Sequence, residues 1–157
     1  GTVHHYDKRH LFRMADEHHH YEAGNQRVVF EWRGWRILPL VCYDLRFPVW
    51  SRNVNNEYDL LIYVASWPQA RRLARDTLLC ARALENMCYV CGVNRIGVDG
   101  NKLIYNGGSV VFSAKGEVLA SVPDGEEGIE TVSLSLISLQ QLRDKFPVWK
   151  DADAFRL

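Results

Sequence analysis

Cys42 is the residue whose type and position point most directly to chemistry. It ends an apolar run at 36–42, and the polar residues Tyr43 and Asp44 follow it at once. A turn after a buried strand can expose a thiol while backbone N–H groups point at a reacting oxygen. Nearby Arg46 would favour the thiolate, whereas Asp44 would disfavour it. A buried structural cysteine is the commoner fate of this residue type, so the residues alone leave both alternatives open.

Lys8 is a second candidate, in the segment YDKRHLF. A lysine held beside a cysteine can relay protons and stabilise a developing oxyanion. By itself, a lysine in such a position is usually a solvated strand end. Glu17 and Glu22 follow in a predicted loop, where exposure to solvent is the ordinary state of a carboxylate.

The histidine run at 18–20, with further histidines at positions 4, 5 and 10, raises the question of a metal site. Adjacent histidines do not share a helical face, and we find no Cys or Asp at ligand spacing beside them. A polar loop is therefore favoured over a zinc-binding module, and we predict no metal. The sequence also has no glycine-rich phosphate loop or dinucleotide fingerprint.

Composition narrows the classes of protein that the chain can belong to. Its 157 residues suffice for one domain with a substantial core, and 19 basic residues balance 19 acidic ones. This balance argues against nucleic acid or an anionic membrane as a partner. No apolar run is long enough for a membrane span, and no signal peptide opens the chain, so we expect a cytoplasmic protein.

The four cysteines have apolar neighbours, which indicates reduced thiols rather than a disulfide framework. Cys88 and Cys91 form a C-x-x-C pattern with apolar spacers and no second pair. We interpret them as core residues.

Hydrophobic periodicity predicts a series of strands and helices. The three central strands are apolar runs, and we interpret them as covered on both faces of the sheet. Pro39 lacks an amide proton, which predicts an edge or a bulge there. Segment 4–8 is strand-like, so we expect the chain to begin within a fold. The predicted strands are 27–33, 36–42, 59–65, 89–94 and 129–136, with a hairpin formed by 107–113 and 117–122; the predicted helices are a short one after Pro48, 70–87 and 138–146, and the tail is predicted to be extended.

This order of elements predicts an α/β fold in which helices cover one side of a sheet. The other face of such a sheet would be bare, which implies partner strands or a second subunit. We find no repeat or linker, so residues 1–157 are expected to form part of a single domain.

Three segments, YDKRHLF, VCYDLRFP and ARALEN followed by YV, occur in this order. Together they resemble the nitrilase (carbon–nitrogen hydrolase) superfamily, and most closely its omega-amidase branch, over the whole length of the chain. The resemblance implies the C-terminal part of a four-layer αββα sandwich. It also implies hydrolysis of the terminal amide of a 2-oxoglutaramate-like 2-oxo acid through a cysteine thioester, without cofactor or metal, in a homodimer or larger homo-oligomer.

The same resemblance implies roles for individual residues. Cys42 is the nucleophile, Lys8 the catalytic lysine and Glu17 an accessory glutamate, and the backbone N–H of Tyr43 joins Lys8 in the oxyanion hole. Ser66 and Trp67 are expected to line the substrate pocket. Framework residues that brace the site are expected at Arg46, Arg82, Glu85 and Asn86.

One element of the family pattern is absent from the sequence. The general-base glutamate belongs to an L-P-E-type motif upstream of these segments, and no such motif occurs here. We therefore expect the N-terminal portion of the sandwich to be missing from this chain. The alternatives are that another segment supplies it, or that the chain is an inactive fragment or a scaffold within an oligomer.

Overall fold

The computed structural model describes residues 2–155, which contain a six-stranded sheet, a separate two-stranded sheet and two α-helices. The strands are β1 Phe30–Trp32, β2 Trp35–Val41, β3 Leu60–Ala65, β4 Tyr89–Asn94, β5 Ile96–Val98, β6 Ile104–Asn106, β7 Val110–Phe112 and β8 Val118–Ser121. The helices are α1 Arg72–Asn86 and α2 Leu136–Lys145. Short 3₁₀ turns lie at Arg13–Ala15, Glu17–His19, Cys42–Arg46, Val54–Asn56, Gln69–Arg71 and Val148–Asp151. Neither helix of this described part is long and apolar enough to cross a membrane.

The large sheet has the strand order β1-β2-β3-β4-β7-β8, and its centre is parallel. Strands β2, β3 and β4 run in the same direction, with Val41 opposite Val64 and Ala65 opposite Asn94. The carboxyl ends of these strands therefore meet at one edge of the sheet. Residues that follow β2 and β3, including Cys42 and Ser66, are brought together by this register.

One face of the sheet is sealed by α1. Leu61 and Tyr63 of β3 are almost fully buried and lie in one core cluster with Leu79 and Ala83 of α1. The helix approaches β4 so closely that a Cβ on Gly92 would lie 2.4 Å from a methyl carbon of Leu79. A larger residue at position 92 would push the helix away from the sheet.

The opposite face is only partly covered. Leu139 of α2 packs with Tyr89 and Leu60 at one end of the strands. Towards the carboxyl ends, Val64 and Val93 are 49% and 43% exposed. The prediction that the central strands are covered on both faces is therefore wrong within the described residues, whereas the predicted bare sheet face is confirmed.

A buried ionic cluster fixes α2 against the sheet. Arg143 is 2% exposed and donates to the Asp59 carboxylate at 2.7 Å and to the carbonyl oxygens of Tyr58 and Met87. Arg36 donates to the same carboxylate. Burial acts to raise the pKa of Asp59, but the hydrogen bonds from both arginines hold this pKa below its usual value.

Several predicted elements agree with the structure. The three central strands, α1, the antiparallel pair of β7 and β8 and the short C-terminal helix are confirmed, with ends that differ by a few residues. Pro39 lies beyond Ile37, the last residue of β2 that pairs with β1, so its missing amide proton costs no hydrogen bond to that strand. The predicted α/β fold class is also confirmed.

Other predicted elements were wrong. Residues 129–135 alternate in hydrophobicity but form no strand; Ser135 instead caps α2, its side chain accepting from the Ser138 N–H at 3.1 Å. The segment after Pro48 forms a turn rather than a helix, and no strand includes residues 4–8. The tail contains a 3₁₀ turn at Val148–Asp151 instead of being extended throughout.

Candidate active site

The candidate nucleophile lies at the carboxyl edge of the sheet. Cys42 begins the 3₁₀ turn that follows β2, and its φ of 47° lies in the left-handed region. This backbone conformation is unfavourable for residues other than glycine, so the contacts around Cys42 must stabilise it. The Cys42 sulfur lies 3.7 Å from the carbonyl oxygen of Ser66, the first residue after β3. Cys42 is only partly buried, whereas Cys88 is sealed in the core as predicted.

A buried carboxylate joins the Cys42 turn to the N-terminal segment. Asp44 is fully buried and accepts the backbone N–H of Val41 at 3.0 Å. The same carboxylate accepts the hydroxyl of Tyr6 at 2.8 Å. It also contacts both the backbone N–H and Nδ1 of His10, at 2.9 and 2.8 Å. Asp44 therefore fixes residues on both sides of Lys8 relative to the nucleophile.

Lys8 and Glu17 form an ion pair beside this turn. The Lys8 ammonium donates to both carboxylate oxygens of Glu17, at 2.9 and 2.6 Å. Glu17 also accepts the backbone N–H of Phe12 at 2.8 Å. The Lys8 carbonyl oxygen accepts the Gly24 N–H at 2.9 Å, which holds the backbone of the segment. Both charged groups are partly shielded from solvent, so the pair is stronger than an exposed one.

The charges of this site act on the Cys42 thiol. Burial raises the pKa of Cys42, and the positive charge of Lys8 is the largest opposing influence. The carboxylates of Glu17 and Asp44 raise the thiol pKa further. Because burial prevails, the thiol is protonated at neutral pH. Nucleophilic attack by Cys42 therefore requires a base that removes this proton.

A small pocket opens in front of the thiol. The two residues predicted to line a substrate pocket, Ser66 and Trp67, are among its walls. Its other lining residues are Phe12, Cys42, Tyr43, Pro68, Arg46 and Arg71. The guanidinium carbon of Arg46 lies 5.1 Å from the centre of the Trp67 ring, and that of Arg71 lies 5.4 Å from the centre of the Phe12 ring.

Arg46, which was expected among the framework residues that brace the site, is exposed and lines the pocket. The other framework predictions agree with the contacts. Arg82 donates to the carbonyl oxygen of Leu45 at 2.7 Å and to Glu85 at 2.9 Å. Asn86 accepts the backbone N–H of Asn53 at 2.9 Å. Arg82 thus ties α1 directly to the nucleophile turn.

Sequence reasoning missed Arg71. Its position in the sequence could have indicated a pocket residue. Arg71 follows β3 closely, and the residues after β3 were already expected to line the pocket through Ser66 and Trp67. The Trp67 indole N–H donates to the Arg71 carbonyl oxygen at 2.8 Å, which connects the two pocket residues.

The loop histidines also differ from expectation. Asp16, His18 and His19 each offer one ligand atom, and these atoms lie within 4.8 Å of one another. The argument that no Asp stands at ligand spacing beside the histidines was therefore wrong. Asp16 and His19 are three residues apart, a spacing that a 3₁₀ turn places on one side.

The family model of carbon-nitrogen hydrolases matches residues 1–144, and the chain belongs to this family. The chain is 60% identical over its full length to omega-amidase YafV of Escherichia coli strain K12, and covers 61% of that protein. It is 36% identical to 2-oxoglutaramate amidase of Bacillus subtilis, over 93% of this chain and 56% of the relative. The chain thus spans about three fifths of the length of the omega-amidase relatives that it matches.

Solved structures have the same fold. A CN-hydrolase superfamily protein from Xanthomonas campestris with an arsenic adduct in its active site superposes with a TM-score of 0.94 at 48% identity, over 97% of this chain and 60% of that one. A mutant amidase from Nesterenkonia, in which acrylamide has added to the active-site cysteine, superposes with a TM-score of 0.75 at 30% identity, over 90% of this chain and 56% of that one. The fold is therefore that of the nitrilase superfamily; the four-layer sandwich stays a prediction.

The opposing influences on the thiol give a first prediction. In the intact natural protein, Lys8→Met should raise the pKa of Cys42, because it removes the charge that favours the thiolate. Glu17→Gln should lower this pKa, because it removes a negative charge. Alkylation of Cys42 by iodoacetamide near pH 8, followed by mass spectrometry of its peptide, should become several-fold slower in the first variant and faster in the second.

Lys145→Met removes an exposed positive charge from the end of α2 and serves as the matched control. Its alkylation rate should equal that of the unmodified protein. If the Lys8 and Glu17 variants shift the rate in the same direction, the assigned charge effects are wrong.

Proposed function

We propose that the protein is an amidase that hydrolyses the terminal amide of a small 2-oxo acid, such as 2-oxoglutaramate, to a carboxylate and ammonia. One observation carries this proposal: a partly exposed thiol lies beside the Lys8–Glu17 pair and faces a pocket that contains two guanidinium groups. The names of the relatives support it, since one is an omega-amidase and another a 2-oxoglutaramate amidase.

The first step of the proposed reaction is acylation of Cys42. A base takes the thiol proton, and the sulfur attacks the amide carbon to form a C–S bond and a tetrahedral oxyanion. The Lys8 ammonium and the Tyr43 backbone N–H stabilise this oxyanion; one such donor typically contributes about 10²–10³ in rate. The C–N bond then breaks, and the nitrogen takes up a proton and leaves as ammonia.

Hydrolysis of the thioester completes the cycle. Water loses a proton to the base and attacks the acyl carbon, and the thiol is released with the new carboxylic acid. The family resemblance assigns the base to a glutamate in an L-P-E-type motif, which this sequence lacks. Glu17 has a different role in this proposal, because both of its carboxylate oxygens are bound to Lys8 and orient the ammonium.

Electrostatics of the pocket support an anionic substrate. Among the described residues that line it, two are arginines and none is a carboxylate. A guanidinium group binds a carboxylate through two parallel hydrogen bonds, so Arg46 and Arg71 suit the carboxylate of a 2-oxo acid. In this arrangement Trp67 would provide an apolar wall for the methylene groups, and Ser66 would border the reacting amide.

The alternative considered from the sequence was an inactive fragment or a non-catalytic scaffold. The names of the relatives do not support this alternative, because they describe amidases. A homodimer or larger assembly and a cytoplasmic location stay predictions. The scaffold predicts no turnover of any amide by the intact natural protein.

Removal of the nucleophile tests the proposed reaction. In the intact natural protein, Cys42→Ala should lower ammonia release from 2-oxoglutaramate by at least about 10³-fold, because the covalent intermediate can no longer form. Cys80→Ala, at another partly buried cysteine outside the pocket, should retain activity. Turnover that survives in Cys42→Ala, or no turnover in the unmodified protein, would refute the proposal.

Substitution of Arg71 tests the substrate class. Arg71→Met should raise KM for 2-oxoglutaramate by about 10–100-fold, because a charge-assisted hydrogen bond is lost. The kinetics with a neutral amide such as butyramide should stay unchanged. Arg33→Met, in the exposed turn between β1 and β2, is the control and should affect neither substrate. An equal loss for both amides would show that Arg71 does not bind the carboxylate.

A further inference from the structure

A second cluster of polar side chains lies on the 3₁₀ turn Glu17–His19. Asp16, His18 and His19 each offer one potential ligand atom, and these atoms lie within 4.8 Å of one another. We propose that this turn binds one divalent cation of the late first-row transition metals, with Zn²⁺ as the representative ion. The site is distinct from the pocket in front of Cys42, none of whose lining residues belongs to the cluster.

The donor set decides the class of cation. Two imidazole nitrogens and one carboxylate oxygen suit Zn²⁺, Co²⁺, Ni²⁺ or Cu²⁺, whereas Mg²⁺ and Ca²⁺ favour oxygen ligands alone. Zn²⁺ lies about 2.0–2.2 Å from such atoms, so the ligand atoms must approach one another slightly when it binds. Asp16 and His19 are exposed and free to rotate for this purpose. Three protein ligands leave a fourth position for water.

An unsatisfied nitrogen points to a ligand at this place. Nδ1 of His18 is shielded from solvent and has no hydrogen-bond partner among the described residues. Shielded polar atoms in folded proteins almost always have a partner, and a bound cation would supply one. The potential ligand atoms of His18 and His19 lie within 4.8 Å of each other, close enough for both to move into contact with one ion.

The backbone keeps the three side chains together. Asp16 has a φ of 54° and joins the turn Arg13–Ala15 to the turn Glu17–His19. Its carbonyl oxygen accepts a hydrogen bond from the His19 N–H at 2.9 Å, which closes the turn that carries both histidines. Between the ligands, Glu17 points elsewhere and is held by Lys8 and Phe12. The neighbouring His20 is not a member of the cluster.

Binding can be measured without reference to amidase activity. The intact natural protein, stripped with a chelator, should bind about one equivalent of Zn²⁺ in a calorimetric titration. His18→Ala and His19→Gln should each weaken this binding by roughly tenfold or more, as loss of a ligand must cost at least as much as loss of a supporting group. His20→Ala is the matched control and should bind Zn²⁺ as the unmodified protein does.

Spectroscopy distinguishes this site from the thiols. Cu²⁺ bound at the turn should give an electron paramagnetic resonance spectrum with nitrogen coupling from imidazole, which His18→Ala diminishes and Cys42→Ala leaves unchanged. Circular dichroism verifies that each variant is folded, and His19→Gln retains a polar side chain at an exposed position. Equal Zn²⁺ affinity in the His18, His19 and His20 variants, or binding that requires Cys42, would overturn the proposal.

Discussion

The buried carboxylate of Asp44 is the constraint on which the geometry of the site depends. A charge without solvent is costly unless it is hydrogen-bonded, and Asp44 meets this requirement by accepting from Val41, Tyr6 and His10. These partners lie on two segments that have no strand pairing with each other. Residues 2–8 form no regular secondary structure, so Lys8 depends on such side-chain contacts for its position beside the Cys42 turn. Strand β2 supplies the other half of the arrangement, since its end fixes where the Cys42 turn begins.

Two opposing effects set the protonation state of the Cys42 thiol. Partial burial raises the pKa of Cys42 and keeps the sulfur protonated, while Lys8 favours the anion. A protonated thiol avoids adventitious alkylation and oxidation, but its reaction with an amide needs a base. Glu17 binds the Lys8 ammonium, and its negative charge opposes the effect of Lys8 on the thiol pKa. Lys8 thus favours negative charge at Cys42 without outweighing the effect of burial.

The sequence predicted those parts of the fold that depend on local pattern. Apolar runs identified β3 and β4, and helical spacing identified α1, because each buries a continuous set of side chains. Alternation at 129–136 was misleading, since a strand also needs a neighbour to pair with. Family motifs identified Cys42 and Lys8, but their environment comes from the register of the parallel strands and from Asp44. Arg71 and the cluster of Asp16 with two histidines escaped prediction because their neighbours are set by turns.

A double-mutant cycle on the thiol pKa tests most directly whether Asp44 positions Lys8. Asp44→Asn replaces one carboxylate oxygen by an amide and so loses either the pair of bonds from Val41 and Tyr6 or the pair from His10. The pH dependence of Cys42 alkylation would be measured for Asp44→Asn, Lys8→Met and the double variant. If Asp44 positions the ammonium, Lys8→Met raises the thiol pKa strongly with Asp44 present and only weakly with Asn at that position. An equal effect of Lys8→Met in both backgrounds would contradict this role.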